Sequence, residues 1–157
     1  MSYQPVLLAI PVLLAVFALP ARADRLAVAE HPLYQEECAS CHMAYPPQLL
    51  DAHSWQHVMN GLPRHFGSDA SLDDKRRTTI ADFLGKNAGS RKTGITADAS
   101  GQPLLRITDT AYFKREHRKI DAATWRRASI KSPANCTACH AQAATGDYSE
   151  RSITIPK

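Results

Sequence analysis

Two copies of one five-residue motif carry the chemistry that this sequence suggests. The copies are Cys38-Ala39-Ser40-Cys41-His42 and Cys136-Thr137-Ala138-Cys139-His140. C-x-x-C-H is the attachment motif of c-type haem, in which both thiols add to porphyrin vinyl groups and the histidine binds iron. On a helical turn, positions i, i+3 and i+4 share one face, so all three side chains can hold one macrocycle. The sequence therefore predicts two haem c groups, attached through Cys38, Cys41, Cys136 and Cys139, with His42 and His140 as proximal iron ligands.

Two other uses of the cysteines compete with this interpretation. The two motifs take up all four cysteines of the chain, and four thiolates in two C-x2-C pairs also suit a zinc site. Zinc, however, does not require a histidine after each pair. Redox-active C-x-x-C motifs of the thioredoxin type belong to a βαβ context, which this sequence does not show. Covalent haem is the interpretation that uses every residue of both motifs.

Residues 1–23 have the features of a secretory signal peptide. An apolar run from Val6 to Leu19 is followed by the small residues Ala21 and Ala23, which favour cleavage before Asp24. A retained membrane anchor is the alternative, but the run is short for a membrane span and contains Pro11. Because covalent haem attachment takes place outside the bacterial cytoplasm, we expect a periplasmic protein.

The remaining chain is long enough for one domain or two very small ones. In the first half, an apolar stripe at i, i+3, i+4 and i+7 predicts a helix that begins at Ser54, and a capping box at residues 71–74 opens another. The stripe consists of Trp55, Val58, Met59 and Leu62. In the second half, Thr108 or Asp109 is expected to cap a helix that extends to Ile120.

These patterns predict a mostly α fold with two haem-binding parts. Residues 24–89 would form a class I-like cytochrome c domain, residues 90–103 a linker, and residues 104–157 a smaller, irregular helical haem domain. The charge differs between the halves, since residues 24–89 carry a net charge of −3 and residues 90–157 a net charge of +6. Such asymmetry favours electrostatic steering toward an acidic partner.

Function depends on the sixth coordination position of each iron, because two protein ligands make a closed electron carrier and an open position permits catalysis or gas binding. Apart from Met1 and the proximal residues, the possible ligands are His31, Met43, His53, His57, Met59, His65 and His117. Met43 follows His42 directly and cannot reach the opposite haem face.

For the first haem, His65 is the favoured distal ligand. It lies on a predicted loop between two helices, where a class I cytochrome c usually presents methionine. Met59 is a competitor, although its place in an apolar stripe is typical of a core methionine. His53 is the other competitor, because it lies near a predicted helix start.

For the second haem, His117 is favoured and His31 is the main alternative. Residues 66–139 contain no other histidine or methionine. With His65 and His117 as distal ligands, both haems would be bis-histidine. Histidine in place of axial methionine lowers the reduction potential, so the sequence predicts a low-potential carrier.

The chain resembles the small bacterial dihaem cytochromes c. The likeness covers most of residues 31–157 and is carried by short segments with distinctive composition. These are Glu37 to His42 with Ala44-Tyr45-Pro46-Pro47, then Trp55 and Met59, His65-Phe66-Gly67, Glu116 to Ile120, and Ser132 to Cys136.

The resemblance implies bis-histidine ligation through His65 and His117 and an electron-transfer role without substrate chemistry. It also implies redox protein partners, namely an oxygen-binding monohaem cytochrome as acceptor and a membrane b-type cytochrome as donor. Two other functions remain open at this point. One is a sensor or peroxidase-like enzyme with an open axial site, and the other is the small dihaem subunit of a periplasmic nitrate reductase.

Overall fold

Five short α-helices, joined by loops and single 3₁₀ turns, make up the part of the chain that the structure describes. The structure is a computed structural model, and it describes residue 26 and residues 30–89 and 97–157. The predicted signal peptide and the first half of the predicted linker lie outside these ranges. The helices are α1 (Pro32–Cys38), α2 (Ala52–Asn60), α3 (Asp74–Lys86), α4 (Ala111–Glu116) and α5 (Ala122–Trp125).

The predicted mostly α fold is confirmed. Backbone pairing of the β type within the described ranges is limited to three isolated bridges. None of the helices in those ranges has the length and apolar character needed to cross a bilayer. The second half of the predicted linker forms a turn, in which Ala97 pairs with Pro103 and the Asp98 carboxylate accepts hydrogen bonds from Ser100 and Gln102.

The first half of the molecule has an apolar core between α2 and α3. The predicted α2 stripe is buried and packs with residues of α1, α3 and the loop before α2. The other buried members are Tyr34, Leu50, Ile80 and Leu84. Burial of aliphatic and aromatic side chains stabilises a fold by about 1.5–3 kcal/mol per side chain, so this cluster stabilises the first half through protein contacts.

The helices of this half begin at different residues from those expected. Helix α2 starts two residues before Ser54, because the Asp51 carboxylate accepts a hydrogen bond from the Ser54 amide at 2.7 Å and serves as N-cap. Helix α3 is capped by Asp73, which accepts from the Arg76 amide at 3.0 Å. Ser71 instead donates to Asp69 in the preceding turn. Aspartate at an N-cap satisfies the free amide of the first turn as well as serine does.

Neither Cys-x-x-Cys-His motif lies on an α-helix along its whole length, which corrects the expected helical geometry. Cys38 is the last residue of α1, and Cys41 and His42 follow in a turn. In the second copy, Cys136–Ala138 form one 3₁₀ turn, and the His140 amide donates to the Cys136 carbonyl at 2.8 Å. A single turn closed by that hydrogen bond brings Cys136 and His140 close together without a longer helix.

The second half has shorter helices than predicted and little apolar core. Helix α4 is capped by Thr110, whose hydroxyl accepts from the Phe113 amide at 3.1 Å, and it ends before His117. The expected helix to Ile120 is therefore too long, because the backbone leaves helical geometry at His117. Ile130 and Ala143 are the buried apolar side chains of the described residues 97–157.

Candidate functional site

The structure places the histidine of the first motif opposite His65. The ring centres of His42 and His65 are 6.2 Å apart and their planes are inclined by 28°. Because bonds from imidazole nitrogen to a metal are about 2 Å long, two imidazoles on opposite sides of one metal have ligating nitrogens about 4 Å apart and ring centres roughly 6 Å apart. This pair therefore has the separation of two axial ligands of one iron.

A tight turn places His65 opposite His42. The His65 amide donates to the Leu62 carbonyl at 3.2 Å, and its own carbonyl accepts from the Ser68 amide at 3.0 Å. The turn requires positive φ at Phe66 (51°) and Gly67 (99°). Positive φ is uncommon outside glycine and costs Phe66 about 1–2 kcal/mol, and strain of this kind concentrates at functional sites.

The other member of the first pair is oriented by the backbone beside it. The His42 Nδ1–H donates to the Met43 carbonyl at 2.7 Å, so Nε2 carries the free lone pair. A hydrogen bond of this kind fixes the tautomer and raises the basicity of a metal-binding imidazole. His42 therefore presents Nε2 as the ring nitrogen that is available to bind a metal.

Both rings border a cavity of about 540 Å³ whose walls come mainly from the apolar core. Cys38, Cys41, Met59 and Leu84 line it, and Cys136 of the second motif also reaches it. A volume of several hundred Å³ with mostly apolar walls suits a large flat cofactor. The cavity, its two bordering thiols and the paired imidazoles together fit a covalently bound haem.

The surroundings of His65 favour its neutral form. Burial, followed by the neighbouring His42 and Arg106, holds the pKa of His65 below its ordinary value. The Arg106 guanidinium lies over the Phe66 ring, 4.2 Å from its centre, which is a cation–π contact beside the ligand loop. A neutral imidazole is the form that binds iron.

The second pair consists of His117 and His140. Their ring centres are 6.1 Å apart, again the separation of two axial ligands of one metal, but their planes are inclined by 81°. His117 is the C-cap residue of α4, and its Nδ1–H donates to the Phe113 carbonyl at 2.9 Å. Its ring stacks on Phe113 with centres 4.0 Å apart and also contacts Trp125. These contacts leave Nε2 of His117 free to face His140.

His140 is more deeply enclosed than His42. The residue is only 9 % exposed, and its Nδ1 is buried without a hydrogen-bond partner. Burial and the neighbouring His117 lower its pKa, against a smaller opposing effect of Asp147. The Tyr148 ring lies 5.1 Å away, and the Cys139 carbonyl accepts from the Thr154 amide at 3.0 Å. A buried neutral imidazole in these surroundings is suited to metal binding.

None of the four cysteines, all of which lie in the described residues, forms a disulfide. Burial raises the pKa of Cys38 and of Cys136 to about 11. Zinc sites need thiolates, and the described residues contain no group of three or more His, Cys, Asp or Glu side chains arranged to hold a metal ion. The geometry thus does not support the zinc alternative.

The structure places the competing ligands elsewhere or gives them other contacts. His31 accepts from the Tyr34 amide at 3.3 Å as the N-cap of α1 and contacts Phe83. His53 and His57 are exposed on α2, with their ring centres 4.4 Å apart. Met59 is 2 % exposed within the core and borders the cavity that His42 and His65 line.

Several side chains that surround the pairs were not found from the sequence as parts of the site. Tyr45 stacks on His42, Arg106 covers Phe66, and Tyr148 contacts His140. No local pattern marks Arg106 or Tyr148. Tyr45 lies in the Ala44-Tyr45-Pro46-Pro47 segment, which is marked in the sequence only by the family resemblance.

Comparisons with known proteins point to the dihaem cytochromes c. The family model described as dihaem cytochrome c matches residues 34–148. A crystal structure of DHC purified from Rhodobacter sphaeroides is 42% identical with a TM-score of 0.65, over 77% of this chain and 99% of that chain. None of the curated proteins matches this chain.

Two further solved structures are similar. A diheme cytochrome c from Rhodobacter sphaeroides is 39% identical with a TM-score of 0.69, over 78% of this chain and 99% of that chain. A diheme cytochrome type c from Shewanella baltica OS155 is 34% identical with a TM-score of 0.67, over 80% of this chain and 92% of that chain. The likeness therefore extends over nearly the whole length of each relative.

Proposed function

Because this chain belongs to the dihaem cytochrome c family, we propose that it transfers electrons through two low-potential haems, each with two histidine ligands. Membership of the family means that the protein has two haem c groups, acts as a haem electron carrier and has redox proteins as partners. The proposal adds the ligand set, the potential, the compartment and the kind of partner.

The observation that carries the proposal is the pairing of four histidines into two sets with nearly equal separation. The ring centres are 6.2 Å apart for His42 and His65 and 6.1 Å apart for His117 and His140. In this assignment the first haem is attached through Cys38 and Cys41, and the second through Cys136 and Cys139. With both axial positions taken by protein side chains, neither iron has an open position for substrate.

The bound haems supply a one-electron couple between ferric and ferrous iron. The protein tunes that couple through its axial ligands, since imidazole favours the ferric form relative to a methionine thioether. The hydrogen bonds from Nδ1 of His42 and of His117 to backbone carbonyls add to this effect by raising ligand basicity. Low potentials at both haems follow from these ligands.

We place the protein in the periplasm, after export through the predicted signal peptide at residues 1–23. Its partner would have an acidic surface, because basic side chains are concentrated on both sides of His117. These are Lys114, Arg115, Arg118, Lys119, Arg126, Arg127 and Lys131. Ion pairs occur in both halves, since Arg115 pairs with Glu116, Arg76 with Glu36 and Glu37, and Arg77 with Asp74. The oxygen-binding monohaem cytochrome implied by the resemblance is the partner to test first.

Visible spectra of the purified protein test the proposal. We expect low-spin bands in the oxidised and reduced forms, no methionine–iron charge-transfer band when oxidised, and no change when carbon monoxide is added to the reduced form. A high-spin component or carbon monoxide binding would contradict bis-histidine ligation and would favour a sensor or a peroxidase-like enzyme. Copurification with a large molybdenum enzyme would instead favour the small subunit of a nitrate reductase.

A further inference from the structure

We infer that Tyr45 is a positioning residue that holds the attachment segment of the second haem against the proximal ligand of the first. The inference rests on the proposed function, because it takes His42 as an iron ligand and Cys136 as an attachment residue. It concerns a residue with no direct role in ligation. We expect Tyr45 to affect the distance between the two haems and the interactions that depend on it.

The first contact of Tyr45 is with the proximal histidine. The Tyr45 and His42 rings are stacked, with centres 4.7 Å apart and planes inclined by 26°. His42 is also held by its hydrogen bond to the Met43 carbonyl. The imidazole is therefore fixed in rotation by the carbonyl and supported on one face by the Tyr45 ring.

The second contact of Tyr45 is with the segment just before the second motif, 89 positions further along the chain. The Tyr45 hydroxyl donates to the Ala134 carbonyl at 2.8 Å. The same carbonyl accepts from the Cys136 amide at 3.0 Å. Ala134 thus joins the Tyr45 side chain directly to the backbone of the first attachment cysteine of the second haem.

The backbone on either side of Tyr45 is held by the core. The buried Tyr34 hydroxyl donates to the Tyr45 carbonyl at 2.6 Å, and the Trp55 indole N–H donates to the Pro47 carbonyl at 2.7 Å. Tyr45 is therefore a fixed hydrogen-bond donor and not a mobile surface side chain.

The cavity bordered by His42 and His65 shows why the two contacts of Tyr45 should affect both haems. Tyr45, Ala134 and Cys136 all border the cavity that His42 and His65 enclose. A shift of the segment around Ala134 would change the distance between the second attachment site and the first haem. Magnetic and electrostatic interactions between two haems depend on that distance.

The test compares Tyr45→Phe and Tyr45→Leu with the native holoprotein. Tyr45→Phe keeps the ring stacked on His42 and removes the hydrogen bond to Ala134, whereas Tyr45→Leu removes both contacts. We expect both variants to keep two low-spin haems. The magnetic interaction between the haems, measured by electron paramagnetic resonance of the fully oxidised protein, should weaken, and the separation of the two midpoint potentials should narrow, more in the leucine variant.

Thr79→Ala is the control. It also removes a hydroxyl that donates to a backbone carbonyl, that of Lys75 at 2.8 Å, but Thr79 is exposed on α3 and does not border the cavity. The control should leave the magnetic interaction and the separation of potentials at native values. Native values in both Tyr45 variants would overturn the inference, as would an equal change in Thr79→Ala. A high-spin native protein would instead refute the proposed ligation, which is a different result.

Discussion

The two halves of the molecule each present one Cys-x-x-Cys-His motif and one histidine pair, but they support them differently. In the first half, eight buried residues form an apolar core between α1, α2 and α3, and the pair lies at its edge. In the described residues 97–157, the buried apolar side chains are only Ile130 and Ala143. The contrast teaches that two histidine pairs with nearly equal separation can be built on an apolar core or on short turns with little core.

The two histidine pairs also differ in the angle between their rings and in which histidine donates a hydrogen bond to a backbone carbonyl. The rings are inclined by 28° in the first pair and by 81° in the second. At the first pair the proximal His42 donates from Nδ1 to a backbone carbonyl, and at the second pair the distal His117 does so. The other member of each pair, His65 on its loop and the buried His140, has no such hydrogen bond among the described contacts. Two haems of the same type are thus expected to be distinguishable.

The largest effect should follow from removing one attachment site at a time. In Cys136→Ala/Cys139→Ala we expect loss of half the haem and loss of hydrogen-exchange protection across residues 104–157, because that region has so little apolar core of its own. Cys38→Ala/Cys41→Ala should also lose half the haem, but should keep protection in α2 and α3. Hydrogen exchange with mass spectrometry measures both. If residues 104–157 stayed protected from hydrogen exchange without their haem, the proposed difference between the two halves would be wrong.

A smaller effect, confined to one iron, should follow from removing one distal ligand. His117→Ala should open the second haem and His65→Ala the first, so that each variant shows a high-spin signal from about half of the iron and binds carbon monoxide when reduced. His57→Ala is the control, because His57 is exposed on α2. If His117→Ala leaves both haems low-spin, the assignment of that ligand is wrong.

The smallest difference should be visible in the native protein without any substitution. Two imidazole rings in nearly parallel planes both interact with the same π-type d orbital of iron, so the energies of the two π-type orbitals differ. Two rings in nearly perpendicular planes each interact with a different one of these orbitals, so the two energies stay similar. We therefore expect two low-spin signals in electron paramagnetic resonance, a rhombic one from the first haem and one with a single dominant low-field feature from the second. His65→Ala should remove the former and His117→Ala the latter. A single signal type for both haems would contradict the difference in ring orientation.

Local sequence patterns predicted some features of the structure correctly and others incorrectly. The stripe of α2 is buried as its spacing predicts, because helical periodicity places those residues on one face whatever the rest of the chain does. The helix starts were shifted, since Asp51, Asp73 and Thr110 compete as N-caps with their neighbours and the packing of each helix selects among them.

The sequence by itself determined the two haem c groups, the family and the mostly α fold, because the haem motifs are short and contiguous and the helical periodicity is local. The sequence also favoured His65 and His117 as distal ligands over several competitors. Only the tertiary structure decided how the rings of each pair are inclined and that Tyr45 reaches Ala134. Those relations join residues far apart in the chain, and they depend on loop conformations such as the positive φ at Phe66. No residue spacing encodes such a contact, since it arises only when separate segments pack on one another.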